Sequence, residues 1–258
     1  MEKHIKRLLL IWYKKNQRNL PWRELQANNL PNPYYIFVSE YMLQQTTVST
    51  VKKRFGEFIE KWPTLQKLSL ISESSILSFW SGLGYYSRAR NLLKAAKLIQ
   101  IKHNGHIPNT FEDLVALPGI GDYTAKAILG IGFNKSNIPL DANIERILTR
   151  LFAFREPINN IKKKLKKNSK KFISTKHSSN FIQALMDYGS IICTPRNPKC
   201  NGCVIRVYCK SFSNNLQNSI PIKKMKKSIK LKKFSRAYIL LNEKNEILVR
   251  KRSAKGML

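Results

Sequence analysis

The stretch Phe111-Glu112-Asp113-Leu114-Val115-Ala116-Leu117-Pro118-Gly119-Ile120-Gly121-Asp122-Tyr123-Thr124-Ala125 decides the fold. Apolar residues recur at helical spacing before Pro118 and again from 122 to 132, so the segment is expected to form a helix, a tight turn and a second helix. Glycines at 119 and 121 permit unusual dihedrals and a close backbone approach, which lets the amides at the start of the second helix face a phosphate oxygen. Contacts of that kind hold a nucleic-acid backbone without reading its sequence.

The rest of the chain agrees with a polyanionic partner. Of 258 residues, 47 are Lys or Arg and 15 are Asp or Glu, a formal net charge of +32. Each phosphate neutralised by such a surface releases counterions, so nucleic acid is the expected partner. The early apolar run 8–13 is too short to cross a membrane or to serve as a signal core, and a cytoplasmic, nucleoid-associated monomer is expected.

Upstream and downstream of the turn the pattern stays helical. Residues 1–16 form an amphipathic helix broken at Leu20-Pro21-Trp22-Arg23, and short helical segments follow from 34 to about 154. Two more helices fill 158–192, the first carrying Lys162, Lys163, Lys164, Lys166, Lys167, Lys170 and Lys171. No strand is expected in the first two hundred residues, so the class is all-α. Residues 211–233, with Lys223, Lys224, Lys226 and Lys227, suit a basic linker. The pattern then changes to a β-hairpin, Ala237 to Leu241 and Glu246 to Arg250 around a polar turn.

All four cysteines fall in one short segment, Cys193, Cys200, Cys203 and Cys209. In a reducing compartment that clustering favours metal ligation over disulfides, and the thiolates could close around zinc or an iron-sulfur centre. Two acidic residues also stand out in apolar surroundings. Asp141, in Ile138-Pro139-Leu140-Asp141-Ala142-Asn143, precedes a helix and is placed to cap it. Glu40 lies in Val38-Ser39-Glu40-Tyr41-Met42-Leu43-Gln44-Gln45-Thr46, where burial would raise its pKa. An acid that protonates a leaving base and a carboxylate beside an oxocarbenium-like sugar are what cleavage of a base from deoxyribose requires.

These motifs together resemble the MutY branch of the helix-hairpin-helix DNA glycosylases, over residues 5–210. The resemblance implies a six-helix barrel domain and an iron-sulfur cluster domain, with residues 1–25 as an N-terminal helix on the latter, 26–137 as the barrel and 138–210 as the cluster domain. It implies that the cysteines, spaced by six, two and five residues, hold a [4Fe-4S] cluster. Residues 234–258 match the truncated start of a Nudix-like C-terminal domain, and weakened discrimination between 8-oxoguanine and guanine is expected from its loss. By the same resemblance Glu40 is the general acid toward adenine N7, Asp141 the catalytic aspartate, and Tyr123 and Asn143 its assistants. Tyr123 stands where endonuclease III has its strand-cleaving lysine, and Lys126 is a poor substitute. A monofunctional enzyme is therefore implied, acting on double-stranded DNA with adenine opposite 8-oxoguanine or guanine.

The segment Trp80-Ser81-Gly82-Leu83-Gly84-Tyr85-Tyr86-Ser87-Arg88 resembles the family's wedge. This makes Gln45, Tyr85, Arg88, Gly119 and Gly121 the expected DNA contacts, and Trp22, Arg23, Leu43 and Gln183 the expected adenine pocket. MutY proteins usually have Gly where this chain has Ala142, so the Asp141 motif alone does not separate them from thymine or uracil mismatch glycosylases. A non-catalytic iron-sulfur DNA-binding protein is the alternative from another class.

Overall fold

The computed structural model describes residues 1–173, 176–222, 234, 236 and 238–249. Met1–Lys224 is one compact unit and Met225–Leu258 a second.

The first unit is helical. Its elements are α1 (Glu2–Asn16), a 3₁₀ turn (Pro21–Arg23), α2 (Pro33–Leu43), α3 (Val48–Lys61), α4 (Leu65–Ser69), α5 (Glu73–Phe79), α6 (Ser87–Lys102), α7 (Phe111–Val115), α8 (Asp122–Ala127), α9 (Ala142–Phe152), α10 (Ile158–Ser169), α11 (Ser178–Ile191) and α12 (Lys210–Ser213). Among the described residues no strand ladder forms, only isolated bridges such as Leu25 with Pro31. Helix starts follow local chemistry. The side chains of Asn32, Thr47, Thr64, Ser72, Thr110 and Asp141 each accept a hydrogen bond from an amide of the first turn they precede, and Pro33 occupies the first position of α2.

Helix α2 is the centre of the unit. Tyr34, Ile36, Phe37, Val38, Tyr41 and Met42 are all buried, so no face of the helix is left for water. It packs against the 3₁₀ turn, α3, α6 and α8, and against the π-turn Ile128–Gly132 that continues α8. That π-turn also meets α11, because Gly130 leaves room for Ile182; a Cβ there would stand 2.2 Å from the Ile182 Cδ1. Helix α11 in turn packs on α1 and α9, and α9 on α10 and α12. The lysines of α10 lie on its exposed side, while Ile161, Leu165 and Ser169 face inward.

The segment expected to be a linker from 211 begins later. Ser211 and Ile220 are buried, Ile222 pairs with Pro157, and the Ile220 carbonyl accepts a hydrogen bond from Arg150 Nε at 2.8 Å. Residues 211–222 are held to α9 by these contacts and belong to the first unit. Lys223, Lys224, Lys226 and Lys227 lie outside the described residues, as do Ala237 and Arg250. In the second unit the expected polar turn is present: Leu241 pairs antiparallel with Ile247, and the Asn242 amide donates to the Glu246 carbonyl at 3.1 Å. Among the described residues no helix is long and apolar enough to cross a membrane.

Candidate active site and iron-sulfur loop

Three elements far apart in sequence bring Glu40, Tyr123 and Asp141 together. Glu40 sits near the end of α2 and is 6% exposed. Tyr123, in the first turn of α8, puts its hydroxyl in hydrogen-bonding contact with the Glu40 carboxyl. Asp141 caps α9: its Oδ1 accepts from the Ile144 amide at 2.7 Å and its Oδ2 from Asn143 Nδ2 at 2.9 Å.

The two carboxyls are held differently. Burial, and then the charge of nearby Asp141, push Glu40 up to about 8, against a smaller opposing effect of the Tyr123 hydrogen bond. Burial also raises Asp141, but two amides, the Asn143 side chain and the Arg146 guanidinium all favour its ionised form. The positive end of α9 adds to that preference. When two acids interact across a dry site, the one with donors ionises and the other keeps its proton. Donors thus favour the charge on Asp141, while burial holds Glu40 above the usual carboxylate range.

A hydrogen-bonded chain runs from Asp141 into the cysteine loop. The Asn143 Oδ1 accepts from Arg146 Nη2 at 2.8 Å, and Arg146 Nε donates to the Cys193 carbonyl at 2.7 Å. The Gly189 carbonyl takes a further bond from Arg146 Nη2 at 2.6 Å. Gly189 is required there, since a Cβ would stand 2.5 Å from Asn143 Cβ. Neither Arg146 nor Gly189 was assigned a role from sequence, and only the Arg three residues after Asn143, one helical turn along, could have suggested the first.

The hairpin turn is stapled to the same helix as Glu40. The Tyr41 hydroxyl donates to the Pro118 carbonyl and Gln44 Nε2 to the Gly119 carbonyl at 3.2 Å. Gly119 has φ +82° and is hemmed in by Asn91 and Tyr41. Gly121 differs from expectation: its φ of −104° suits any residue, and a Cβ there would enter open space. Its contribution is the clearance it leaves at the start of α8. Lys126 is occupied by Asp122, with Nζ 2.7 Å from both carboxylate oxygens.

Gln45 and Tyr85 share two properties. Both are exposed and both have left-handed backbone, φ 57° and 47°. A non-glycine residue held there carries strain that its surroundings must sustain. Arg88 does not fit the expected DNA contact. It is 5% exposed, and its guanidinium donates to backbone carbonyls of the protein itself: Met42 at 2.6 Å, Tyr41 at 3.3 Å, Gln44, Leu83 at 2.9 Å and Gly84 at 3.2 Å.

Of the four pocket candidates, Arg23 and Gln183 line one open cleft with Tyr13 and Arg18. Arg23 grips the buried Asp187 with both Nη atoms, at 2.7 and 2.9 Å, and Arg18 holds the same carboxylate at 2.6 Å. Gln183 accepts from the Tyr13 hydroxyl at 3.2 Å. Trp22 does not line this cleft; it lies in the core, edge-on to Phe55, and Leu43 is half-buried at the core margin.

The four cysteines line a common cavity with Arg150, Tyr188 and Ile205, and none forms a disulfide. A zinc ion bound at about 2.3 Å by four thiolates would draw their sulfurs to within about 4 Å of one another. Among the described residues no group of three Cys, His, Asp or Glu side chains is arranged to hold a single ion. In a [4Fe-4S] cluster each of four thiolates binds its own iron. Four thiolates lining one cavity fit a [4Fe-4S] cluster. Bound there, the cluster cross-links residues 193–209. Arg150, buried below it, donates to Thr194 at 2.6 Å and to Cys193 Sγ at 3.4 Å.

A helical hairpin beside two buried carboxyl groups is the arrangement expected of a DNA glycosylase. Residues 38–174 match the HhH-GPD superfamily of base excision DNA repair proteins, and residues 193–209 the iron-sulfur binding domain of endonuclease III. A thermostable thymine-DNA glycosylase has a similar structure, with TM-score 0.74 and 27% identity over 83% of this chain and 97% of its own. An adenine DNA glycosylase of Buchnera aphidicola subsp. Baizongia pistaciae is 42% identical over 96% of this chain, and the chain spans 70% of that relative. The mouse adenine DNA glycosylase is 38% identical over 79% of this chain, which spans 41% of it. The chain belongs to the MutY-type adenine DNA glycosylase family within the HhH-GPD superfamily.

Proposed function

We propose that the chain hydrolyses the N-glycosidic bond of adenine mispaired with 8-oxoguanine or guanine and leaves an abasic site. The observation that carries this reading is one buried site that pairs Glu40, held above the usual carboxylate range by burial, with Asp141, whose hydrogen-bond donors favour its charged form. Glu40 gives its proton to adenine N7, the bond to the sugar breaks with its electron pair passing to the base, and Asp141 faces the positive charge left on the sugar. Water then adds at that carbon and gives its proton to the carboxylate left on Glu40, which restores the acid. Tyr123 and Asn143 orient the two carboxyls. Tyr123 has no amine to attack the sugar, and Lys126 is engaged by Asp122, so the strand stays uncut.

Gly119 and Gly121 grip the backbone, while Gln45 and Tyr85 enter the stack around the extruded nucleotide. Arg23, Gln183, Trp22 and Leu43 form or back the wall that receives the base. The likeness to a thymine-DNA glycosylase supports a second reading, release of thymine opposite guanine. Duplexes with adenine opposite 8-oxoguanine, adenine opposite guanine and thymine opposite guanine separate the two: free adenine from the first pair, with no strand scission, is expected. Release of thymine without adenine would overturn the proposal.

A further inference from the structure

We propose that Arg88 is a positioning residue that locks the stack-entering residues Gln45 and Tyr85 to the helix carrying Glu40. The inference rests on the reading of those two residues given above. Two segments meet at one guanidinium. Its Nη1 takes the carbonyls of Tyr41, Met42 and Gln44, the last turn of α2 and the residue that follows it. Its Nη2 takes Leu83 and Gly84, the turn that ends at Tyr85. Its own backbone amide donates to the Tyr85 carbonyl at 2.9 Å, and its guanidinium lies 5.6 Å from the Tyr85 ring centroid and 5.4 Å from that of Trp80.

The carbonyls at a helix end have no partner within the helix and must find one elsewhere. At the end of α2 no glycine supplies a backbone cap. The chain instead leaves the helix through Gln44 and turns at left-handed Gln45. Arg88 supplies the missing donors from outside. In doing so it fixes where the chain leaves α2 toward Gln45, five residues from Glu40, and where Tyr85 leaves its turn. A planar fork with donors in fixed directions can span both groups of carbonyls, whereas a lysine ammonium has one nitrogen and cannot. Glu40 delivers a proton only to a base extruded to the right place, and a displacement of about 1 Å between such parts can cost on the order of a hundredfold in rate.

The test separates positioning from phosphate binding. Binding of the full chain to an undamaged duplex is followed against salt for the parent and for Arg88→Lys and Arg88→Gln, with iron content and melting temperature as checks of folding. If Arg88 positions, the slope of log affinity against log salt is the same in all three. A phosphate contact would instead lower the slope by about 0.9 in Arg88→Gln and leave Arg88→Lys like the parent. That result overturns the proposal. On duplexes carrying 2-aminopurine at the target position, Arg88→Lys is expected to lose extrusion fluorescence and single-turnover excision together, each at least about tenfold, and not to be rescued by its retained charge. Arg88→Lys combined with Tyr85→Ala is expected to lose little more than either alone. Full additivity, or parental extrusion in Arg88→Lys, refutes the link. The salt slope needs no excision, so an error about which base is released shows in the parent's products and does not alter what the slope says of Arg88.

Discussion

Replacing Glu40 by Gln tests the assignment of acid and carboxylate through both pH and stability. With Glu40 at about 8, roughly nine-tenths of the molecules carry the proton at pH 7 and about one-tenth at pH 9. Single-turnover excision should therefore hold up to near pH 7.5 and fall about tenfold per unit above 8, and Glu40→Gln should lack both the activity and the limb. The same shift acts on folding. The unfolded carboxyl titrates at the ordinary value of 4.5 and the folded one higher, so the fold's preference for the protonated form is fully available below pH 4.5 and is lost as pH rises through 8. At about 1.4 kcal/mol per unit, the buried acid lowers stability by on the order of 3 kcal/mol at pH 7 and by under about 1 kcal/mol at pH 5.

Glu40→Gln keeps the shape and hydrogen-bonding capacity but cannot ionise. It should be more stable than the parent at pH 7 by up to that amount and nearly equal at pH 5. Urea midpoints of both proteins at the two pH values, with the cluster retained, measure the difference. An equal gain at pH 5 and 7, or a rate that stays level through pH 9, would refute a protonated Glu40 and with it the division of labour between the two acids.

The two hairpin glycines should part company on substitution. Gly121→Ala places its Cβ in open space, so the melting temperature should hold while duplex affinity falls roughly tenfold by obstruction of the phosphate approach; unchanged affinity argues against the hairpin grip. Gly119→Ala meets φ +82° and contacts at 3.0 Å, and should destabilise the fold by roughly 1–3 kcal/mol, as a shift in melting temperature reports. Gly189→Ala pushes on Asn143 from 2.5 Å away, so excision should drop about a hundredfold with duplex binding retained; a parental rate would mean that Asn143 need not stay where it is. Cys200→Ser should lower bound iron and expose residues 193–209 to limited proteolysis, and full iron content in that variant would count against a four-thiolate cluster.

What could be read from sequence was whatever is written in neighbouring residues. The helix caps, the Pro-Gly-Ile-Gly turn and the cysteine spacing are each complete within a few positions, and Glu40 announced its burial through the uninterrupted apolar run around it. Contacts between distant segments were not readable. Nothing near Arg146 indicates that it reaches Cys193 and Gly189, both more than forty residues away, and nothing near Ser211 shows that the following ten residues pack back on α9. Of the two properties read for Gly121, unusual dihedrals and close backbone approach, its φ of −104° removes the first and the open space around it leaves room for the second.

Arg88 shows why residue type misled. In a chain with 47 basic residues against 15 acidic ones, an arginine three positions after Tyr85 carries almost no information about where its side chain points. Burial carries it instead. Arg88, Arg146 and Arg150 are 5%, 6% and 2% exposed, and each donates chiefly to backbone carbonyls: at the end of α2, at Cys193 and Gly189, and at Thr194, Pro195 and Ile220. A buried guanidinium is costly unless its donors are satisfied, and bundles of carbonyls at helix ends and in tight loops supply acceptors in number, although Arg88 Nε is left without a partner among the described residues. The same coupling makes these arginines the fasteners of the site. They tie the 83–85 turn to α2, which carries Glu40, and the cysteine loop to α9, which Asp141 caps, so the placement of both carboxyls rests on buried cations.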